Sequence, residues 1–164
     1  MAEIATTQRK LPHNLEAEKC VLGAVLINND KFNYAAELID ADDFFRQAHQ
    51  RIFDKMVNLN ERGQVIDLVT LKEELGRTGD LDDVGGPAYI AALVDGVPGS
   101  THVEHYARIV KEKSTLRSLI KSANSILSTA YDAETDAEVQ LDQAEKAIFE
   151  IADDQVGDGF VSLR

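Results

Sequence analysis

Apolar residues recur three or four positions apart along most of this chain, and no stretch alternates apolar and polar residues over a strand's length. The pattern predicts an all-α fold. Asn14 is placed to cap a helix, Glu16 and Glu18 suit its positive end, and Leu15, Leu22 and Val25 recur at helical spacing, which predicts a helix over about 14–27. A shorter helix is expected from near Asp30, carrying Phe32, Ala35, Ala36 and Ile39. Past Asp42-Asp43 and Phe44-Phe45, the residues Ile52, Phe53 and Met56 form the apolar face of a helix near 47–62, with Gly63 as its stop. Ile66, the Asp67 cap and Leu71 have the spacing of a hydrophobic staple, so a helix is expected over about 68–75, ended by Gly76 and Gly79. Glycines 85, 86 and 96 bracket one more short helix containing Ala88, Tyr89, Ile90 and Leu93.

The second half changes character. Thr101 and Glu104 are spaced as a capping box, and so are Thr135 and Glu138, which predicts two helix starts. No Gly or Pro interrupts the first of these helices before about Tyr131, so it forms a rod of roughly 45 Å at about 1.5 Å per residue. The second places Ala137, Leu141, Ala144, Ile148 and Ile151 at 4-3-4-3 spacing, a helix-packing seam. Leu116, Leu119, Ile120, Ala123, Ile126, Leu127 and Ala130 give the first a matching stripe, and the short connection folds the two back as an antiparallel hairpin. That stripe is wider than one short partner helix covers, so Leu116, Leu119, Ile120, Ala123, Ile126, Leu127, Leu141 and Ile148 are expected to meet a second subunit. The organisation read from the sequence is a flexible arm over 1–11, a helical head of about five to six helices over 12–98, the hairpin over 99–153, and from 154 to 164 the start of a linker. The linker reading rests on the loss of periodicity past Ala152, in Asp153-Asp154-Gln155-Val156-Gly157-Asp158-Gly159.

Charge narrows the functional classes. The 164 residues carry a net charge of −12, the wrong sign for gripping nucleic-acid phosphates directly. The acid is concentrated: residues 132–164 hold ten carboxylates against Lys146 and Arg164, or −8, while residues 1–131 hold −4. No run approaches the roughly 18 apolar residues of a membrane span, and the first ten residues lack the apolar core of a secretory signal, which reads as a cytoplasmic protein. The single cysteine, Cys20, sits in an apolar periodic stretch and reads as a small buried hydrophobe.

Little in the sequence points to chemistry. His102 and His105 lie three apart without a third ligand of fixed spacing, so no metal site is assigned. His49, one turn before Ile52 and Phe53, reads as a hydrogen-bonded core histidine. Gly85-Gly86 follows no strand and opens no Gly-x-Gly-x-x-Gly loop, and the pattern GxxxxGK[ST] occurs nowhere, so neither a catalytic residue nor a nucleotide-binding residue is assigned. Two readings from other classes stand beside an assembly domain. One is a helical enzyme using acidic general acid-base residues, which would need a pocket of converging ionisable groups. The other is a free-standing helical adaptor unrelated to any motor.

Several motifs in order resemble one family. Pro12-His13-Asn14-Leu15-Glu16-Ala17-Glu18, Val21-Leu22-Gly23, Asp43-Phe44-Phe45 with His49 and Ile52-Phe53, Ile66-Asp67-Leu68-Val69-Thr70-Leu71, Val84-Gly85-Gly86-Pro87-Ala88-Tyr89 and Tyr106-Ala107-Arg108-Ile109-Val110-Lys111-Glu112-Lys113 look like the N-terminal domain of bacterial DnaB-type replicative DNA helicases. The resemblance covers about residues 11–152. It implies a helical head followed by a helical hairpin, and a collar of paired subunits (a dimer, or a trimer of dimers in a hexamer) above a motor ring that unwinds DNA 5′ to 3′ with ATP. It implies no ATPase or helicase activity in these 164 residues, with ATP and Mg, and the contact with DNA, belonging to a C-terminal motor domain that follows the linker. It also implies docking of the C-terminal helicase-binding domain of primase, with a helicase loader as a further partner. By alignment, Glu18, Tyr89, Ile120, Ile126 and Leu141 stand on or beneath the primase surface; for the last four, packing in the core or hairpin is the competing reading.

Overall fold

In a computed structural model, residues 10–98, 102–132 and 134–162 are described, with side chains as far as Gln155. They form seven α-helices and one 3₁₀ turn, and no strand occurs among the described residues. The helices are α1 (Leu15–Ile27), α2 (Lys31–Ala36), α3 (Gln47–Glu61), α4 (Leu68–Arg77), α5 (Gly86–Asp95), α6 (Val103–Asp132) and α7 (Ala137–Ser162). The 3₁₀ turn, Ala41–Asp43, was not expected; Asp43 closes it by accepting the Asp40 backbone N–H at 2.8 Å.

Contacts divide the chain into two units, His13–Glu112 and the pair of segments 1–12 and 113–164. The first ten residues of α6 therefore count with the head, where Val103, Ala107 and Val110 are buried, instead of beginning the hairpin at 99. The head core is built on α1, nine of whose thirteen residues are buried. Phe32, Phe44, Ile52, Phe53, Met56, Leu71, Leu75, Ile90 and Leu93 close around it. Cys20 belongs to this interior, and burial pushes its thiol up from the ordinary range.

Local chemistry sets the helix ends. Asn14 Oδ1 accepts the Ala17 N–H at 3.0 Å, and Asp67 Oδ1 accepts the Thr70 N–H at 2.9 Å, so each side chain satisfies a donor that has no partner within its helix. Thr70 Oγ1 accepts the Asp67 N–H in return. The buried Ile66 and Leu71 flank the Asp67 cap as the staple requires. Two ends fall elsewhere than expected. α4 continues through Gly76 to Arg77, and α7 continues through Gly157 and Gly159 to Ser162 instead of giving way to a linker after Ala152. A helical glycine costs about 1 kcal/mol against alanine, which weakens a helix without obliging it to end. The Thr101 cap lies outside the described residues, and α7 starts at Ala137, one residue later than a Thr135 cap implies.

Two features fix the head. Gly23 of α1 lies directly against the Leu93 carbonyl and the Val97 side chain, so a Cβ there would overlap both. The second is the buried Glu74 carboxylate, which bridges two guanidiniums: Arg62 Nη2 donates to Oε2 at 2.6 Å and Arg77 Nη2 donates to Oε1 at 2.8 Å. The hydrogen bonds from Arg62 and then Arg77 pull the Glu74 carboxyl down to about 2.

Two outcomes are expected. Gly23→Ala lowers unfolding stability by about 1–3 kcal/mol through overpacking, whereas Gly76→Ala, with open space around its Cβ, raises it by about 0.5–1 kcal/mol; denaturant titration of the pair checks the contrast. Glu74 has its folded value depressed below the unfolded one, so its contribution is present above the ordinary carboxylate range and disappears as pH falls from there towards about 2. A Glu74→Gln variant should be less stable than the parent at pH 7, with the gap closing across that acid window.

Candidate interaction site

Glu18 lies one turn into α1, in a helix buried almost all round, and its side chain is itself buried. An ionised carboxylate in such a place needs several donors. The start of α3 supplies them. The Phe45 N–H donates to Oε2 at 2.8 Å and the Arg46 N–H donates to Oε1 at 3.4 Å. His49, fully buried on the first turn of α3, places Nδ1 2.8 Å from Glu18 Oε1, and its Nε2 lies 2.6 Å from the Tyr89 hydroxyl of α5. Arg46 completes the chain, donating from Nη1 to the Tyr89 oxygen at 3.3 Å while its guanidinium lies 5.2 Å from the Tyr89 ring centre. No buried side-chain polar atom among the described residues lacks a partner.

This network reaches the surface only at its far end. Tyr89 is half-buried and Arg46 and Phe45 are exposed, with the His13 ring stacked on Phe45 at 4.3 Å. Of the two head residues expected on or beneath a primase surface, Glu18 is buried and Tyr89 is half-buried. His49 is the hydrogen-bonded core histidine that its position in the sequence predicted. Gly85, with φ of 113°, is what allows Tyr89 to sit here, because a Cβ on Gly85 would overlap the Tyr89 Cβ and Cγ.

The hairpin residues form a second arrangement. The Gln155 amide of α7 donates to the Thr115 hydroxyl of α6. Thr115 precedes Asp132 by 17 residues and Gln155 follows Ala137 by 18, the register of an antiparallel hairpin. Half-buried residues mark the inner lines: Thr115, Ser122 and Thr129 on α6, and Gln140, Ala144, Ala147 and Ile151 on α7. The expected seam was different. Of the seam residues, Ala144 and Ile151 are half-buried, whereas Leu141 and Ile148, placed in the seam and also expected at a subunit contact, are 67% and 43% exposed. The difference is rotational: the half-buried line of α7 runs through Gln140, Ala144, Ala147 and Ile151, offset from Leu141 and Ile148.

On α6, Leu116, Leu119, Ile120 and Ile126 are 37–38% exposed, Leu127 is 57% exposed and Ala123 is exposed. At about 100° per residue these six lie to one rotational side of the Thr115–Ser122–Thr129 line, and Leu141 and Ile148 lie to the same rotational side of the α7 line. Because the helices are antiparallel, equal rotational sense brings both stripes to one broad face of the hairpin. All eight side chains expected at a subunit interface thus share an exposed apolar surface. The sequence could not show that they leave the internal seam to alanine, serine and threonine.

Among the described residues, no three His, Cys, Asp or Glu side chains are grouped so as to hold a metal ion. No helix among them is long and apolar enough to cross a membrane. The arrangement offers packing surface and a rigid head.

Comparison with known proteins places this geometry. A family model described as the DnaB-like helicase N terminal domain matches residues 10–112. The replicative DNA helicase DnaB of Geobacillus stearothermophilus is 40% identical over 158 residues, 96% of this chain and 35% of the relative. The replicative DNA helicase DnaC of Bacillus subtilis is 40% identical over 153 residues, 93% of this chain and 34% of the relative. The chain thus spans about a third of the length of the curated relatives it matches. The crystal structure of the N-terminal domain of DnaB helicase from Mycobacterium tuberculosis superposes with a TM-score of 0.81 at 34% identity, covering 86% of this chain and 99% of that one. A DnaB-like replicative helicase, described together with its interactions with primase, shares the fold with a TM-score of 0.68 at 23% identity over 91% of this chain and 35% of that one.

The buried network sets an expectation for the head. Glu18→Ala removes the acceptor of two backbone N–H groups and an imidazole, and should cost about 3 kcal/mol of unfolding stability. Tyr89→Phe removes one hydroxyl near the surface and should cost about 1 kcal/mol; chemical denaturation of both variants separates the two ends of the chain.

Proposed function

The chain belongs to the family of DnaB-like helicase N-terminal domains, and we propose that it is the part of a cytoplasmic replicative DNA helicase through which subunits associate and primase docks. The observation that carries this reading is the broad exposed apolar face of the hairpin, eight side chains presented by two helices. Scattered apolar residues on a surface are ordinary, but a face continuous over two helices is of the kind that a second hairpin covers in a four-helix arrangement. Its arc on α6, from Ile126 round to Ile120, is broader than one further helix covers. The inner part, with Leu119, Ile126, Leu141 and Ile148, suits a second copy of the chain; the outer part, with Ile120 and Leu127, suits a further partner. The similar helicase described with its interactions with primase supports primase as that partner, and the alignment that brings Glu18, Tyr89, Ile120, Ile126 and Leu141 to the primase surface follows the same reading.

The helicase activity itself, with 5′ to 3′ movement, ATP, Mg and DNA, belongs in this proposal to the remaining two thirds of the parent protein. The net charge of −12 and the absence of a GxxxxGK[ST] loop from residues 1–164 support that division. The 154–164 segment leads towards the motor in this scheme, and a helicase loader is a further partner of the assembled ring.

Sedimentation equilibrium of the chain, alone and with the C-terminal helicase-binding domain of primase, tests the proposal. The chain should self-associate and take up the primase domain. Ile148→Asp should keep its helical circular dichroism and weaken self-association at least about tenfold, because it sets an unpaired charge in an apolar contact. Ile120→Asp should weaken capture of the primase domain similarly. Parent-like masses for both variants would remove the hairpin face from the account.

A further inference from the structure

The donors around His49 determine where its proton lies. Arg46 can only donate, so the Tyr89 oxygen accepts from it at 3.3 Å and the Tyr89 hydroxyl hydrogen is free to point to His49 Nε2, 2.6 Å away. Glu18 accepts the Phe45 and Arg46 backbone N–H groups through both oxygens, and with the carboxylate as acceptor His49 Nδ1 is the donor to Oε1 at 2.8 Å. A neutral imidazole protonated at Nδ1 satisfies every bond, each running from Arg46 inwards to Glu18.

A second proton on His49 reverses one link of that chain. Nε2–H would then donate to the Tyr89 oxygen, turning the hydroxyl hydrogen outward. The imidazolium would keep Glu18 as its counter-ion on one side. On the other side it would face Arg46 across a single oxygen: the two nitrogens that share the Tyr89 oxygen can be no farther apart than 2.6 + 3.3 = 5.9 Å. Two cations at that separation repel, and Arg46 is the one that is exposed and able to leave. We propose that His49 is a proton-operated latch, whose protonation releases Arg46 from Tyr89 and redraws the head surface at the start of α3.

The charged and titratable groups facing His49 come from each element around it. They are Glu18 from α1, Tyr89 from α5, and Arg46 preceding α3; the Phe44 ring meets the imidazole edge-on at 6.4 Å. Beyond these, Asp43 is engaged by Lys111 at 3.6 Å, and His13 stacks on Phe45, so His13 is the second imidazole to be told apart in any titration. The proposal stands whether or not the hairpin reading holds, since all its groups lie in the head.

The test is a nuclear magnetic resonance titration of the isotopically labelled chain from pH 8 to pH 5, following the His49 ring nitrogens, the Arg46 side-chain N–H and the Tyr89 ring. At pH 8, His49 should carry its proton on Nδ1. On acidification Nε2 should gain one, and the Arg46–Tyr89 cross-peaks should disappear with the same midpoint. His13→Gln should leave this linked transition in place, and Tyr89→Phe should leave the His49 transition while removing the Arg46 response. The latch is refuted by an Nε2–H tautomer at pH 8, by a His49 that stays neutral throughout the folded range, or by Arg46 and Tyr89 signals that do not follow the His49 midpoint.

Discussion

The head depends on a single buried carboxylate. Glu18 sits in the most enclosed helix of the chain, and its charge is tolerated because α3 begins where Phe45 and Arg46 can turn their N–H groups towards it. One side chain on α1 thereby takes the place of a conventional cap on α3, whose N-cap residue Arg46 makes no side-chain cap bond. His49 and Tyr89 carry the connection to α5. Three helices far apart in sequence are tied through polar bonds of fixed geometry, in a core whose remaining contacts are nondirectional. Apolar packing alone would hold these helices together; the carboxylate defines their register.

The second unit follows a different principle. Its half-buried positions are mostly small or polar, Thr115, Ser122 and Thr129 on α6 and Gln140, Ala144 and Ala147 with Ile151 on α7, and most of its large aliphatic side chains are exposed. Such a hairpin completes its packing by adding another surface. The head is self-sufficient, with a closed core and its buried polar atoms partnered. The division suits a domain that must stay folded while its contacts with other chains form and dissolve.

How far the sequence revealed this depends on the range of each interaction. The Asn14 and Asp67 caps act over three residues, and both were legible because donor and acceptor are neighbours. The family was legible for a related reason, since its motifs are short and stand in order. The Glu18 network spans 27 to 43 residues per bond, and the only local sign of it is an acidic residue inside an otherwise buried stretch of helix, a position that equally suits the helix dipole. The hairpin seam is legible only in part: a 4-3-4-3 pattern identifies an apolar stripe but not its rotation, and here Ala144 and Ile151 are half-buried while Leu141 and Ile148 are exposed. The run to Ser162 was missed because Gly157 and Gly159 were weighed as breakers without weighing the helix behind them.

The acidic excess of the chain's final fifth bears on the proposed contact between copies. Residues 132–164 carry −8, so two hairpins approaching along their apolar faces bring like charge together. The attraction is hydrophobic and indifferent to dilute salt, whereas the repulsion is screened over about 8 Å at physiological ionic strength and reaches much farther in dilute buffer. The proposed association through this face would thus respond to the ionic medium in the sense opposite to a charge-driven complex: added salt would strengthen it. The same acid keeps the apolar face from indiscriminate contact, so that only a surface complementary enough to outweigh the repulsion is admitted.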